Sequence, residues 1–460
     1  MMDLPSADAV HRTALMHAYG EQYATFEEAL AAHSATGVVI IADDRTCANA
    51  TGQAAVCTAI ATASRAFGNT LVVADAETLI AAGPYAGSSL AQVAEREGAR
   101  PADSLGDVPS GWPVVVIGPR PDRLAESIAA RAGEVTLYAQ WSGWIARVSP
   151  AAGARTASVE DRPENILAAI GAAGLAVHEA FGAAQARPGS DAGYRTIILN
   201  LWRPGTDQDD GPALSAAPAA WWLVGLGHLG QANAWVLSFL TYAKQSNIEV
   251  VLQDDDFAVP ANHSTGLFTP PEPDRVRKTR LVASILNRCG FATRITEFRL
   301  DPEMRVGARE SHVALLGVDN LSTRRLISNV SWDLAIDTGL GAGPSDFNAI
   351  MVRRFPGARR SDEVPAWSEK SEESRPVRNR VFDDAAERDE CGAATLAGLA
   401  VGATFVGVIA ACLAVAEAVR PLHGGAGHDV VSVHLGSNDW EHALSETSID
   451  IIPSRLATPS

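Results

Sequence analysis

Cysteine is scarce in this 460-residue chain: five residues, at 47, 57, 289, 391 and 412, with no Cys-x-x-Cys pair among them. That spacing excludes a disulfide framework and a zinc knuckle, so no structural zinc is expected. Positive charge is short as well. Lys and Arg number 37 against 54 Asp and Glu, a formal net charge of −17. A general nucleic-acid binder is thereby excluded, because no basic excess exists to neutralise phosphates. The first residues, MMDLPSADAVHRTALMH, lack a basic segment followed by an apolar core. No secretory leader is read there, and the expected compartment is the cytoplasm. Long apolar runs are also missing, with one exception: residues 392–416 carry no charge. Their Ala, Gly and Thr content suits a helix buried all round in a soluble domain better than a bilayer span. No second comparable segment is read, so no membrane is expected.

What is present is globular. Hydrophobic residues make up 47% and charged residues 20%, and the length allows two or three domains with substantial cores. The rest of the chain is organised around residues 221–256, WWLVGLGHLGQANAWVLSFLTYAKQSNIEVVLQDDD. They read as strand, glycine turn, helix to about Lys244, second strand and acidic tip. In Gly225-Leu226-Gly227-His228-Leu229-Gly230, Gly225 permits the tight turn, Gly227 lets a phosphate approach the backbone, and Gly230 lets helix and strand pack closely. The helix N-terminus offers unpaired N–H groups to an anion. Asp254, at the next strand end, can accept hydrogen bonds from ribose hydroxyls. The stretch is predicted to bind a nucleotide.

The fold class expected is α/β, two Rossmann-like domains with mostly parallel sheets. In the first, 1–205, strands at 37–42, 71–74, 113–117, 135–138 and 195–201 alternate with helices at 52–67, 123–132 and 163–181. The turn after its first strand, Asp43-Asp44-Arg45-Thr46-Cys47, has no glycine cradle, so this half is expected to be an inactive version of the same architecture. A Pro/Gly-rich linker follows at 204–218. The second domain, 214–460, continues with a four-proline loop at 257–273 and a basic amphipathic helix at 275–288. Strands follow at 293–298, 312–318, 333–338 and 348–355, then a polar excursion at 356–391, the apolar helix and a closing strand at 428–435.

Taken in order, VGLGHLG, the acidic strand end with Asn262 eight residues beyond Asp254, Lys278 opening a helix, Gly317-Val318-Asp319-Asn320 with Thr323-Arg324, and Cys391 before a long apolar helix make a specific set. Residues 218–424 resemble the adenylating domain of ubiquitin-like-protein activating enzymes, of bacterial type, and of the sulfur-carrier adenylyltransferases. The resemblance implies ATP-dependent adenylation of the C-terminal carboxylate of a ubiquitin-like or sulfur-carrier protein. It further implies thioester transfer to Cys391 and hand-over to a conjugating enzyme, with a homodimer left open. Carried over by position, Asp254 would hold the ATP ribose and Asp256 would support the pocket. Asn262 and Lys278 would contact phosphates, with Lys278 catalytic, and Asp319 would hold Mg2+. Taken alone, Lys278 reads as an exposed helix lysine, and Asp319 equally as a carboxylate satisfying a helix N-terminus.

One departure stands out: where the family has an arginine three residues after the asparagine, this chain has Thr265. Arg275, Arg277, or an arginine from the first half or another protomer could replace the missing cation. The rival readings are an NAD(P)-dependent oxidoreductase, for which the glycine motif and acidic strand end suffice, and a non-catalytic nucleotide-binding scaffold. Against the first stand Lys278, Asp319 and Cys391 in family order, and the lack of a Tyr-x-x-x-Lys pair.

Overall fold

The computed structural model describes residues 4–457 other than 21, 103–108, 119–134, 151–161, 186, 188, 209–210, 241, 243, 308–311, 342, 344–345, 369–376 and 447–455. The helix expected at 123–132 lies outside the described residues. The α/β expectation is met. Strands β1 (Gly37–Ala42), β2 (Asn69–Val73), β3 (Arg100–Pro101), β4 (Val114–Ile117), β5 (Thr136–Ser142), β6 (Ile145–Pro150) and β7 (Ile197–Asn200) form one sheet in the order β3-β2-β1-β4-β5-β6-β7. The apolar run GVVIIA of β1 is buried along its whole length, as a parallel strand covered on both faces must be. β1 pairs in parallel with β2 and β4, whereas β5, β6 and β7 are joined antiparallel. The β6 hairpin partner was not anticipated; its Gly143 turn is too short a signal beside the stronger β5 run.

A two-residue strand β8 (Ala217–Pro218), paired antiparallel with β17 (Leu456–Ala457), precedes the second sheet. That sheet comprises β9 (Ala220–Val224), β10 (Glu249–Gln253), β11 (Ala292–Thr296), β12 (Val313–Leu316), β13 (Leu334–Leu340), β14 (Ala349–Phe355), β15 (His428–His434) and β16 (Asp439–Leu444). Its order is β11-β10-β9-β12-β13-β14-β15-β16. It follows the first sheet strand for strand, parallel through the fifth and antiparallel after it, with one strand added.

Matching helices face each other across the two halves. Helix α1 (Ala50–Ala66) follows β1 and α2 (Ile166–Gln185) precedes β7. In the second half α3 (His228–Phe239) follows β9, and α4 (Lys278–Arg288) precedes β11. Two short helices, α5 (Arg380–Ala386) and α6 (Glu390–Ala397), then lead to α7 (Thr404–Val419), which precedes β15. Two helices, not one, are long and apolar enough to span a bilayer, α2 and the run Thr404–His423. This corrects the expectation of a single such segment. Both are nearly all buried because they pack on each other between the halves: a Cβ on Gly174 would lie 3.1 Å from Ile409, and the rings of Phe181 and Phe405 are 5.4 Å apart. Trp235 Nε1 donates to Thr58 Oγ1 across the same seam (3.0 Å).

Two matching charge clamps close the seam. Glu179 of α2 binds Arg195 (2.7 Å), whose guanidinium donates to the Leu435 carbonyl beyond β15 (3.0 Å). Glu417 of α7 binds Arg420, whose guanidinium donates to the Leu201 carbonyl beyond β7 (2.8 Å). Each glutamate also meets a histidine, His178 at 3.2 Å and His428 at 3.3 Å.

Three further expectations are corrected. Helix α3 ends at Phe239 rather than near Lys244. The excursion 356–391 is not structureless, since its described residues include the 3-10 turns Ser361–Glu363 and Pro365–Trp367 and the helix α5. The apolar run 392–416 is broken between Ala397 and Thr404. At the break the backbone runs close to its neighbours: a Cβ on Gly402 would stand 3.1 Å from Thr265 and 3.3 Å from His228.

Candidate active site

A pocket of about 570 Å3 crosses the carboxy ends of β10, β9 and β12. There the strand order turns back on itself, where open α/β sheets take their ligands. Gly225 leaves β9 with φ +79°, a conformation that costs a residue with a Cβ. A Cβ on Gly230 would fall 1.8 Å from the Gly225 carbonyl oxygen, so Gly230 serves helix–strand contact and does not line the pocket. Gly227 does line it, and a Cβ there would meet nothing within 4 Å. Gly227 is also the N-cap of α3 and supplies no side-chain cap, which leaves the first-turn N–H groups and the positive helix end open to an anion.

The acidic tip is held in a fixed geometry. Asp254 accepts from the backbone N–H of Leu226 (2.5 Å) and of Asp256 (2.8 Å). Burial raises its pKa, opposed by Lys278 and those N–H groups. Asp255 is tied to Arg299 (2.9 Å), and Asp256 to Lys278 (2.9 Å). Lys278 opens α4 and is buried, its side chain 11% exposed, so it is not the exposed helix lysine its arginine neighbours suggested. Asn262 lines the pocket from the turn Pro260–Ser264, its Oδ1 accepting from Val259 N (3.0 Å). Asp319 stands exposed on the far rim. The helix Leu321–Arg325 beside it is capped by Asn320, not by Asp319.

The cations differ from those expected. Arg275 and Arg277 lie over the Phe257 ring, at 5.7 and 4.4 Å, and neither lines the pocket. Arg299 and Arg324 do. Arg324 donates to the carbonyls of Val318 (3.1 Å) and Thr338 (3.2 Å), and lies 3.3 Å from Asp337. Burial lifts the Asp337 carboxyl to about 6, against the pull of Arg324 and Arg353. Sequence reading quoted Arg324 within a motif and gave it no role. Asp337, inside a strand, carried no signal.

The broken helix forms one wall, with Ala400 and Val401 lining the pocket. His228 Nε2 meets the Ala403 carbonyl at 3.0 Å, and burial pushes the ring pKa down to about 4. The ring is therefore neutral near pH 7 and donates from Nε2. Cys391 is exposed in the first turn of α6, which Asp389 caps, and does not line the pocket. The expectation that it opens the long buried helix is thus corrected. Cys412 is buried within α7, where burial raises its thiol pKa.

A hard divalent cation needs oxygen donors. The carboxylates of Asp254, Asp255 and Asp256 approach within 4.8 Å, but two of them are already neutralised by Arg299 and Lys278. Asp319, relieved of capping by Asn320, fits Mg2+ better.

Comparison with known proteins finds two family models. Residues 217–425 match the family model described as BilD C-terminal domain, and residues 37–201 that described as BilD N-terminal domain. The bacterial E1-like protein BilD of Collimonas sp. (strain OK412) is 36% identical over 329 residues, spanning 70% of this chain and 69% of that protein. Among solved structures, E. coli MccB is 9% identical with a TM-score of 0.33, over 49% of this chain and 62% of its own. MccB with ATP gives 10% identity and a TM-score of 0.32, over 51% and 66%. The chain thus spans just under two thirds of the length of these structures, and a likeness at that level carries nothing further.

Proposed function

Because the chain belongs to the bacterial E1-like BilD family, we propose that it adenylates the C-terminal carboxylate of a ubiquitin-like or sulfur-carrier protein with ATP. The observation that carries this reading is the uncapped N-terminus of α3. It opens at Gly227 into a pocket where Asp254, Lys278, Asn262 and Asp319 converge. In this reading the domains are 1–205, without nucleotide, and 214–460, with it.

The ATP ribose hydroxyls donate to Asp254, whose carboxylate is pre-aimed by the Leu226 and Asp256 N–H groups. The phosphates lie against the open N–H groups of α3, with Lys278 and Asn262 beside them. Asp319 would hold Mg2+, which supplies charge neutralisation on phosphate oxygens. A carboxylate oxygen of the carrier attacks the α-phosphorus, the bond from that phosphorus to the bridging oxygen breaks, and pyrophosphate leaves. Negative charge grows on the leaving oxygens in that transition state, and Lys278 and the helix end are fixed donors for it. The Cys391 thiolate then attacks the acyl carbon, AMP leaves as the phosphate–acyl bond breaks, and the carrier is held as a thioester for a conjugating enzyme. Since Cys391 does not line the pocket, this second step requires the 379–402 segment to move.

Two measurements test the reading. Carrier-dependent exchange of pyrophosphate into ATP should fall a hundredfold or more in Lys278→Ala and Asp319→Ala, about the loss seen when one transition-state donor is removed. Unchanged exchange in both would refute these roles. A non-reducing gel of protein, ATP and carrier should show a thiol-sensitive adduct that disappears in Cys391→Ala and persists in Cys412→Ala. An adduct surviving Cys391→Ala would place the thioester elsewhere.

A further inference from the structure

The pocket wall beyond the acidic tip carries an aromatic ring that nothing above uses. Phe298 lines the pocket and is 59% exposed. A single exposed aromatic on an open surface needs no explanation. This one is different because its own carbonyl and the residues that follow it are anchored. Its carbonyl accepts from Gln253 Nε2 (3.1 Å), and Gln253 Oε1 in turn accepts from Trp222 Nε1 (3.0 Å). The next residue, Arg299, is tied to Asp255 (2.9 Å), and Leu300 is buried in the core beneath. A rigid loop therefore presents a large apolar face to the pocket.

Strand order says what that face meets. In the proposed reading the phosphates sit over α3 at the end of β9, and the ribose at Asp254 at the end of β10. A nucleotide laid along β9 and β10 continues outward to the end of β11. The chain leaving β11 runs beside the tip, with Asp254 N donating to the Thr296 carbonyl (3.2 Å), and Phe298 follows two residues later. We propose that Phe298 is the base-stacking residue of this site, its ring lying on the face of the nucleotide's purine. This rests on the nucleotide-binding reading and adds to it the group that holds the base.

The test is titration of the full-length protein with Mg·ATP and, separately, with inorganic tripolyphosphate, which has the phosphates and no base. Because Phe298 is exposed, its variants should melt at the wild-type temperature. Phe298→Ala should bind Mg·ATP roughly tenfold more weakly, the scale of one base–aromatic stack, and bind tripolyphosphate as wild type does. Phe298→Leu should share most of that loss. Phe298→Trp should restore ATP binding, and its added indole fluorescence should be quenched by ATP and not by tripolyphosphate. Wild-type ATP affinity in Phe298→Ala or Phe298→Leu would overturn the stacking role. Equal losses for both ligands would overturn it too, by showing that the loop, and not the base contact, had changed. A wild-type protein that takes no Mg·ATP would instead overturn the nucleotide reading on which the inference stands.

Discussion

After their first strands, the two halves of the molecule take different courses. In the second half Gly225 turns the chain, Gly227 caps α3 without a side chain, and the helix end is left open. In the first half Asp43 Oδ1 accepts from Thr46 N (2.7 Å), and Asn49 Oδ1 accepts from Gly52 N at the start of α1 (2.7 Å). The chain itself thus satisfies the donors that would face a phosphate, and Asp43 and Asp44 stand where an anion would be repelled. The third glycine is shared. A Cβ on Gly52 would lie 1.9 Å from the Thr46 carbonyl oxygen, as one on Gly230 would lie 1.8 Å from that of Gly225. Close packing of the helix start on the turn before it survives in both halves. The turn glycine and the glycine N-cap, Gly225 and Gly227, occur in one half only. The clamps at Glu179 and Glu417 teach the same lesson from the other side: what joins the halves is symmetric, and what distinguishes them lies at the first turn.

The largest effect expected from breaking this comparison is on stability. Glu417→Ala leaves Arg420, only 1% exposed, without its carboxylate, and should cost about 3–5 kcal/mol in denaturant unfolding. Glu179→Ala should cost less, because Arg195 is 17% exposed and can draw on water. The Glu179 clamp also has a pH signature. Burial raises its pKa, but hydrogen bonds and charge from His178 and Arg195 outweigh that and bring it from 4.5 to about 2. A folded pKa below the unfolded one means stability present above pH 4.5 and lost as pH falls toward 2. Unfolding measured through that window should show a shallower acid loss in Glu179→Ala than in wild type. Equal acid slopes would remove Glu179 from the account.

Smaller effects should follow from the first-half caps. Asn49→Ala and Asp43→Ala each remove one N-cap bond and should cost about 1 kcal/mol. Neither should change pyrophosphate exchange, because neither faces the pocket of the second half. A loss of exchange in either variant, with the fold intact, would mean that the first half takes part in the chemistry.

Much of this asymmetry was legible in the sequence. The glycine motif and the acidic strand end lie within one short stretch, and their spacing already implies strand, turn and helix. The cradle's absence at Asp43–Cys47 was equally plain. The break at 398–403 was hidden, because Ala, Gly, Val and Thr look alike on either side of it. The clamps were hidden because Arg195 and Arg420 reach carbonyls more than 200 residues away. Arg324 and Asp337 are paired by the fold alone. Repetition of the architecture was foreseen only as two versions of one plan, because it is carried by strand order and register and not by matching residues.

The central claim is that one chain holds one nucleotide, over α3. Calorimetric titration of the full-length protein with Mg·ATP tests it most directly when wild type is compared with Gly227→Asp. The added side chain has open space to occupy, so the fold is kept while a carboxylate is set in the path of the phosphates. The account predicts one ATP per wild-type chain and none for Gly227→Asp. Two per chain, or unchanged binding in Gly227→Asp, would contradict it.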